Sequence, residues 1–292
     1  MTPLFARMTV AGVGLIGGSL AAAARRAGLA GEVVGFGRSG ANLALARARG
    51  LVDRTTDDPA VAAAGAEVIV LAAPVGVCAA LAAQLGPHAA PGTLLTDVGS
   101  VKGTLVTALE AAWQDRGPVV GAHPLAGSEA AGAGAARADL FVGRRCILTP
   151  TKRTDPAALA RVRALWEGVG ARVEEMAPAA HDALLARISH LPHLLAYALV
   201  TAAAGAAVDG RAALDYAAAG FLDTTRIAGS RGELWRDILL ANAPALADAL
   251  AEFRAALAHL ERLVAAGAAE PLLAALEAAA AARRALEGRR SG

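Results

Sequence analysis

The feature that constrains the fold most is a glycine-rich turn near the N-terminus, in the stretch VAGVGLIGGSLAAAARRAG. Gly12, Gly14 and Gly17 form a GxGxxG pattern between an apolar run typical of a strand and an alanine-rich run typical of a helix. In such a turn the first glycine permits the bend, the second lets the backbone approach a pyrophosphate, and the third lets helix and strand pack closely. The pattern predicts a dinucleotide site with the phosphates at the helix N-terminus.

A plain tight turn is the alternative, because chains rich in alanine and glycine produce GxGxxG by chance. The strand and helix on either side of the turn favour the cofactor site. We expect Leu15 and Ile16, inside the turn, and Ala73, after a later strand, to complete the cofactor contacts.

Strand-like and helix-like segments alternate through the first half of the chain. The strand candidates are MTVAGVG, EVVGFG, AEVIVLAAP, TLLTDVGS, PVVGAHPLAG and RCILTPT. This order predicts an open, mostly parallel sheet that binds ligands at the carboxyl ends of its strands. After about Met176 helical periodicity takes over. We therefore predict an α/β chain, with a Rossmann-like dinucleotide-binding domain at residues 1–176 and an all-α substrate and dimerisation domain at residues 177–292.

The helical half contains two long helix candidates. PAAHDALLARISHLPHLLAYALVTAAAG begins at Pro178 and has Pro192 as the expected position of a kink. The second candidate carries apolar residues at alternating spacings of four and three, namely Leu246, Leu250, Phe253, Leu257, Leu260 and Val264. Such a stripe faces either the core of its own subunit or a second subunit in a homodimer.

Composition and charge narrow the functional class. Hydrophobic residues make up 55% of the chain, and the formal net charge is +2 from 28 basic and 26 acidic residues. This near balance argues against a nucleic-acid surface. Cys78 and Cys146 are too far apart in sequence for a CxxC pair, so neither a disulfide framework nor a zinc knuckle is expected. With no signal-peptide pattern at the N-terminus, and with Pro74 and Gly76 interrupting the apolar run at 68–83, we expect a cytoplasmic protein without membrane association.

The stretch EVVGFGRSG bears on the choice of cofactor. An acidic residue that binds the ribose 2′-hydroxyl of NAD follows the second strand in many dinucleotide-binding folds. Glu32 begins that strand and is at the wrong end of the sheet, whereas Arg38 and Ser39 stand at its carboxyl end. A cation and a hydroxyl suit a 2′-phosphate, so we expect NADP⁺ to be accepted, or even preferred, alongside NAD⁺. Alternatively, Arg38 stacks on the adenine and is indifferent to the phosphate.

A histidine and a serine follow strands of the predicted sheet. His123 lies in GAHPLAGSE, directly after a strand, and Ser100 lies in TDVGSVKG, after the preceding strand. An imidazole at the ligand-binding edge of the sheet can accept a hydroxyl proton near neutral pH while a hydride leaves for a nicotinamide. We predict these two residues to be catalytic. The alternative for His123 is a loop histidine that caps the following turn.

Further polar residues cluster in the helical half. His190 and His193 are three apart on one helix face, close to His181 and Asp182, but the set lacks an HExxH or cysteine pattern and we predict no metal site. Arg226, in GFLDTTRIAGSRGELWRD, suits a bidentate contact with a substrate carboxylate. A salt bridge from Arg226 to Asp223 or Glu233 is the alternative.

The motifs GVGLIGGS, DVGSVKG, GAHPLAGSE, HDALLARISHLPH and GFLDTTRIAGSRGELWRDI occur in this order from about Met8 to about Leu260. Together they resemble the prephenate/arogenate (cyclohexadienyl) dehydrogenase family of tyrosine biosynthesis. The resemblance implies oxidative decarboxylation of prephenate to 4-hydroxyphenylpyruvate, with hydride transfer to NAD(P)⁺ in a homodimer.

The resemblance also implies roles for individual residues. His123 would contact the ring 4-hydroxyl as catalytic base or polarising group, with Ser100 hydrogen-bonded in the same region. The expected substrate-binding residues are His193, Arg226, Glu129 and His190, with Arg226 on a carboxylate. The sequence departs from the family pattern at Leu125, where methionine is common.

Other functions remain open at this stage. An arogenate or dual-specificity cyclohexadienyl dehydrogenase differs only in the substrate side chain, and no residue decides between them. A β-hydroxyacid dehydrogenase or imine reductase would also join a Rossmann domain to a helical one, but these enzymes usually rely on a lysine in the helical half. The segment after Met176 has no lysine. A non-catalytic nucleotide-sensing dimer would leave Ser100, His123, His193 and Arg226 as accidental companions.

Overall fold

The computed structural model of the chain describes residues 2–127 and 130–290. The chain divides into two compact units, of which the first extends to Ala243 and the second begins at Pro244. The predicted boundary after Met176 falls inside the first unit, because the helices that follow it pack with the sheet-containing part. That boundary remains a prediction.

The first unit contains the sheet. Within the described residues this large sheet has eight strands: β1 (Phe5–Ala11), β2 (Ala30–Phe36), β3 (Arg54–Thr56), β4 (Val68–Leu71), β5 (Leu94–Asp97), β6 (Val119–Pro124), β7 (Arg145–Thr149) and β8 (Arg172–Glu175). Their spatial order is β3-β2-β1-β4-β5-β6-β7-β8. Strands β1 to β6 are parallel, β7 is antiparallel to β6, and β8 is parallel to β7. The predicted α/β class with a mostly parallel sheet is confirmed.

Helices cover both faces of the sheet. They are α1 (Leu15–Arg26), α2 (Gly40–Ala48), α3 (Pro59–Ala63), α4 (Val75–Leu85), α5 (Gly103–Trp113) and α6 (Pro156–Gly168). The neighbouring sequence determines where α3 and α6 begin, because each helix is preceded by an aspartate that accepts a backbone N–H and starts with a proline.

The apolar side chains of β4 show why this run is continuous in the sequence. Val68 and Val70 pack into a core on one face of the sheet, and Ile69 and Leu71 pack into a core on the other. Successive side chains of a strand point to opposite faces, so a strand covered on both faces must be apolar at every position.

The helices that follow the sheet still belong to the first unit. They comprise α7 (Pro178–Leu185), a π-helical turn (Ala186–His190), α8 (Leu191–Ala204), α9 (Ala219–Thr225) and α10 (Gly232–Ala241), with a short hairpin of β9 (Ala207–Val208) and β10 (Arg211–Ala212). The long helix predicted from Pro178 is therefore one helical stretch that contains a π turn. The π turn ends at His190, two residues before Pro192, which lies in the first turn of α8 and has no N–H to donate to the preceding turn.

Among the described residues, one helical stretch, Pro178–Ala204, is long and apolar enough to cross a membrane, with a mean hydropathy of 1.3. Length and composition alone are weak evidence for a span. The Asp182 carboxylate on this stretch accepts the backbone N–H groups of Lys102 and Gly103, from the loop after β5. These contacts show that the stretch packs against protein.

The second unit is helical. Helix α11 (Ala243–Ala265) extends into it and is followed by α12 (Ala269–Arg290). Of the predicted apolar stripe on α11, Leu246 is buried, whereas Leu257 and Val264 are 43% and 64% exposed. The stripe therefore retains exposed apolar surface.

Strands β3 and β8 were not predicted from the sequence. Both are short edge strands of three and four residues, and β8 contains Arg172, Glu174 and Glu175. Edge strands are half solvated and often charged, so they lack the apolar run that identifies central strands. His123 was expected directly after a strand, but β6 continues through Pro124 because pairing with β7 extends it.

Candidate active site

The glycine turn has the geometry that a dinucleotide site requires. Gly12 has φ +104°, and a Cβ there would lie 2.3 Å from the Ala72 carbonyl oxygen. A Cβ on Gly17 would lie 2.1 Å from the Gly12 carbonyl oxygen, whereas a Cβ on Gly14 would meet no heavy atom within 4 Å. The first and third glycines are thus required by close packing, while the second faces open space that a phosphate can approach.

The start of α1 leaves backbone donors for an anion. Gly14 precedes the helix, and in the part of the chain described here no side chain caps this N-terminus and no acidic residue lies in the first turn. Leu15 and Ile16 form that turn and are half-buried. Ala73 follows β4 next to the turn, with its N–H 3.2 Å from the position of a Cβ on Gly12. These residues fit the phosphates of a dinucleotide.

The loop after β2 contains Arg38 and Ser39, and both are exposed. Ser39 precedes α2, and its Oγ accepts the N–H of Asn42 at 3.3 Å. Glu32 lies near the amino end of β2, where it forms ion pairs with Arg7 at 3.3 Å and Arg54 at 3.5 Å. Glu32 is therefore at the opposite end of the strands from the glycine turn, and Arg38 is at the same end as that turn.

His123 is buried near the carboxyl end of β6. Its Nδ1 lies 2.8 Å from Nε2 of His181, on α7. Nδ1 of His181 lies in turn 2.8 Å from Oδ1 of Asp182. Because β1 and β6 are parallel members of one sheet, His123 and the glycine turn lie at the same end of the sheet, where the strands have their carboxyl ends. They are three strand spacings, or about 14 Å, apart.

The Asp182 carboxylate fixes α7 to the loop after β5. Oδ1 accepts the N–H of Lys102 at 2.8 Å, and Oδ2 accepts the N–H of Gly103 at 2.7 Å. Lys102 is fully buried, where its ammonium group pairs with Asp97 and donates to the Ala122 carbonyl oxygen. One buried polar network therefore connects β5, β6 and α7 and fixes their relative positions.

The electrostatic surroundings keep His123 neutral. Burial lowers the pKa of His123 well below its usual value, and His181, Lys102 and His190 lower it further. Burial by itself would raise the pKa of the Asp182 carboxyl, but hydrogen bonds from His181 and from the N–H groups of Lys102 and Gly103 bring it below its usual value. At neutral pH a neutral imidazole therefore stands at the end of a chain that terminates in a carboxylate.

Ser100 and His190 lie next to this network. Ser100 is half-buried in the loop between β5 and α5, and its backbone is close enough to His190 to influence the imidazole. His190 is fully buried, and its Nδ1 lies 2.9 Å from the amide nitrogen of Asn242. Burial lowers the pKa of His190 to about 4. Its Nε2 is buried and has no hydrogen-bond partner among the residues that the structure describes.

His193 packs against an aromatic ring on α10. The imidazole stacks on Trp235 with ring centroids 3.4 Å apart, and Nδ1 lies 2.9 Å from the Ser189 carbonyl oxygen. Burial lowers the pKa of His193; the Ser189 carbonyl opposes this shift, and the positive charge of Arg226 adds to it. Arg226 is exposed, directly after α9, and this effect indicates that it lies near His193.

The remaining predicted site residue, Glu129, lies outside the described residues. Glu233, one of the alternative partners of Arg226, is 3.4 Å from Arg231. Within residues 2–127 and 130–290, no group of three or more histidine, cysteine, aspartate or glutamate side chains is arranged to hold a metal ion.

The structure brings together most of the predicted polar residues and adds others. His123, the Ser100 backbone and His190 belong to one neighbourhood, and His193 and Arg226 to an adjacent one. Trp235 and Asn242 also contact these residues and were not predicted from the sequence, and neither was a role for His181 and Asp182. The adjacent His-Asp pair is visible in the sequence, but only the packing of α7 shows that it faces β6.

Comparison with known proteins assigns most of the chain to characterised domains. Residues 20–175 match the family model described as prephenate dehydrogenase, nucleotide-binding domain, and residues 177–278 match prephenate dehydrogenase, dimerization domain. The chain is 37% identical over 266 residues to a cyclohexadienyl dehydrogenase of Zymomonas mobilis, which covers 90% of this chain and 89% of that protein.

Solved structures give the same result. A prephenate dehydrogenase from Aquifex aeolicus, crystallised with hydroxyphenyl propionate and NAD⁺, superposes with a TM-score of 0.91 and 35% identity, covering 96% of this chain and 98% of that one. An arogenate dehydrogenase from Synechocystis superposes with a TM-score of 0.83 and 33% identity, covering 96% of this chain and 99% of that one.

Proposed function

The chain belongs to the prephenate dehydrogenase family, and from this premise we propose that it oxidatively decarboxylates prephenate to 4-hydroxyphenylpyruvate, with a nicotinamide nucleotide as hydride acceptor, in tyrosine biosynthesis. The observation that carries this proposal is the neutral, buried His123 at the sheet edge that also contains the glycine turn. A neutral imidazole at this position is able to accept a proton from a substrate hydroxyl.

The reaction balances without another reactant. A bound oxidised nicotinamide would supply the acceptor for the hydride that leaves ring carbon 4. His123 takes the proton of the 4-hydroxyl as the carbon–oxygen bond gains double-bond character. The bond from carbon 1 to its carboxylate then breaks, CO₂ leaves, and its electron pair makes the ring aromatic. The phenolate oxygen recovers the proton from His123.

The substrate contacts follow from the positions of the other polar residues. Arg226 binds a carboxylate of prephenate, since a guanidinium matches a carboxylate with two parallel hydrogen bonds. His193, held flat against Trp235, contributes a second contact. Ser100 hydrogen-bonds near the 4-hydroxyl. We assign His190 to the buried side of the substrate site, since it is fully buried, and we retain Glu129 as a predicted contact at the rim of that site.

The residues that hold the cofactor are those of the glycine turn and the loop after β2. Gly12, Gly14 and Gly17 with Leu15 and Ile16 form the phosphate site, and Ala73 borders it. We propose that Arg38 and Ser39 bind a 2′-phosphate, so that NADP⁺ is accepted as well as NAD⁺ and is even preferred. Ser39 Oγ accepts one hydrogen bond from α2, which leaves the hydroxyl hydrogen to donate to a phosphate oxygen.

Arogenate is the second candidate substrate. It carries an amino acid side chain where prephenate has a keto acid, and relatives of this chain include both a cyclohexadienyl and an arogenate dehydrogenase. Values of kcat/KM measured with prephenate and arogenate, each with NAD⁺ and NADP⁺, test the function and the specificity together. Turnover of neither substrate would overturn the proposal.

We further propose that the protein is a homodimer that works in the cytoplasm. The match to a dimerisation domain and the exposed apolar residues on α11 support self-association. Light scattering at micromolar concentration is expected to give twice the 29.1 kDa mass of one chain. A monomeric mass would contradict the dimer without affecting the assignment of His123.

A further inference from the structure

The contacts that join His123, His181 and Asp182 can be assigned a donor and an acceptor at each step. His123 Nδ1 and His181 Nε2 are 2.8 Å apart, and the rings meet edge to face with centroids 5.0 Å apart. His181 is fully buried, and its other nitrogen is 2.8 Å from the Asp182 carboxylate. Each nitrogen of a neutral imidazole is either a donor or an acceptor, so a chain of such contacts fixes every proton once one end is known.

Asp182 lies at one end of this chain of contacts, and its protonation state fixes the position of every proton along it. Hydrogen bonds keep the pKa of its carboxyl low despite burial, so at neutral pH it is a carboxylate, which only accepts. His181 must therefore donate from Nδ1, and its Nε2 is an acceptor. His123 then donates from its own Nδ1 to His181, which leaves Nε2 of His123 unprotonated.

We propose that His181 and Asp182 are positioning residues for the reaction: they hold neutral His123 in the Nδ1–H tautomer, so that its Nε2 lone pair faces the substrate hydroxyl. The catalytic part of this inference rests on the proposed function, whereas the tautomer is a property of the protein by itself. A histidine whose second nitrogen is fixed by a hydrogen bond has a fixed tautomer and ring orientation, and both matter for a general base.

Within residues 2–127 and 130–290, the hydrogen-bond contact that the structure gives His123 Nδ1 is the one to His181 Nε2. The Lys102 ammonium group donates to Asp97 and to the Ala122 carbonyl oxygen and has no lone pair with which to accept. His190 Nδ1 is bonded to Asn242, and Cys146, paired with Pro124 in the sheet, is a buried thiol. When His123 takes a proton, the new imidazolium keeps its bond to His181, and the Asp182 carboxylate lies one ring further along to stabilise the charge.

The chemical consequence of losing His181 is specific. Without an acceptor for Nδ1–H, neutral His123 moves toward the Nε2–H tautomer that free histidine prefers, and Nε2 then lacks the lone pair needed to accept a proton. His181→Leu removes the acceptor. His181→Gln places an amide oxygen near the former Nε2, so it restores an acceptor for His123. It lacks the ring nitrogen that contacts Asp182.

The test measures the tautomer directly. Protein labelled with ¹⁵N-histidine is examined by NMR at neutral to slightly basic pH, with the His123 resonances assigned from His123→Asn and with His88→Gln, at an exposed site, as control. The wild type is expected to show protonated Nδ1 and unprotonated Nε2 on His123. This measurement needs no substrate and no altered protein other than the assignment variants.

Kinetics on the same proteins test the role in the reaction. His181→Leu is expected to lower kcat about 100-fold with KM little changed and to move His123 toward Nε2–H, and His181→Gln is expected to restore much of both. An Nε2–H tautomer in the wild type would overturn the proposal, as would wild-type kcat in His181→Leu. Absence of turnover in the wild type with the Nδ1–H tautomer present would instead overturn the proposed function and the catalytic part of this inference.

Discussion

His193 lies flat on the indole of Trp235, with ring planes inclined by 19° and centroids 3.4 Å apart. The stack joins the start of α8 to α10 and fixes the imidazole whose Nδ1 meets the Ser189 carbonyl oxygen. A side chain held in this way presents its remaining nitrogen in one orientation, which lowers the entropy lost when a substrate binds.

We expect Trp235→Leu to weaken substrate binding more than it slows the reaction. The His193 ring loses its support, so KM for prephenate should rise about tenfold while kcat changes less. Trp235 is also 8% exposed, and loss of its packing should lower the free energy of unfolding by about 2–3 kcal/mol. Steady-state kinetics and urea unfolding measure the two effects, and Trp235→Phe, which keeps an aromatic face, should show smaller changes in both. An unchanged KM in folded Trp235→Leu would show that the stack does not contribute to substrate binding.

Substituting Arg226 should reveal its proximity to His193 as well as its role. The positive charge of Arg226 contributes to the lowered pKa of His193, so Arg226→Gln is expected to raise that pKa toward its usual value. The same change should raise KM for prephenate at least tenfold, because a carboxylate partner is lost. An NMR titration of His193 and steady-state kinetics provide the measurements. Arg231→Gln, on an exposed arginine paired with Glu233, is the matched control and should change neither.

The loop after β2 provides a test of cofactor choice. If Arg38 binds a 2′-phosphate, Arg38→Ala should raise KM for NADP⁺ at least tenfold and leave KM for NAD⁺ within about twofold, since a charged hydrogen bond is worth roughly 1.5–3 kcal/mol. Arg47→Ala, an exposed arginine on α2, serves as control. Equal weakening of both cofactors would mean that Arg38 only stacks on the adenine.

Buried histidines predict how stability depends on pH. The pKa of His190 is lowered to about 4 in the folded protein, so between about 4 and 6.5 the unfolded chain binds more protons than the folded one. The contribution of neutral His190 to the free energy of unfolding is fully present above pH 6.5 and is lost as pH falls toward 4. His190→Asn, which keeps an acceptor for Asn242, should flatten the decline in unfolding free energy across this window, by up to about 1.4 kcal/mol per pH unit. Parallel curves for the two proteins would show that His190 does not titrate there.

Some of this site is predictable from the sequence because its causes are local. The glycine turn depends on three residues within six positions and on the strand and helix beside them, and the apolar run of β4 follows from burial on both faces. The position of Arg38 follows from the direction of β2, which places the carboxyl end next to the glycine turn and Glu32 at the other end.

Other parts are set by tertiary packing. The contact between His123 and His181 joins residues 58 positions apart, and nothing in either local sequence indicates that α7 will face β6. The π turn before Pro192 and the stack on Trp235 likewise depend on which helices meet. Asn242, which links the Asp182 carbonyl oxygen to His190, follows α10 and carries no sequence pattern that marks it.

The most direct test of the central claim is steady-state oxidation of prephenate by the wild type and by His123→Asn, following formation of reduced nicotinamide and of 4-hydroxyphenylpyruvate. We predict turnover by the wild type, and a 10²–10⁴-fold loss of kcat in His123→Asn with nearly unchanged cofactor binding. Equal kcat in the two proteins would contradict the assignment of His123 as the base, and a wild type that oxidises neither prephenate nor arogenate would contradict the proposed function itself.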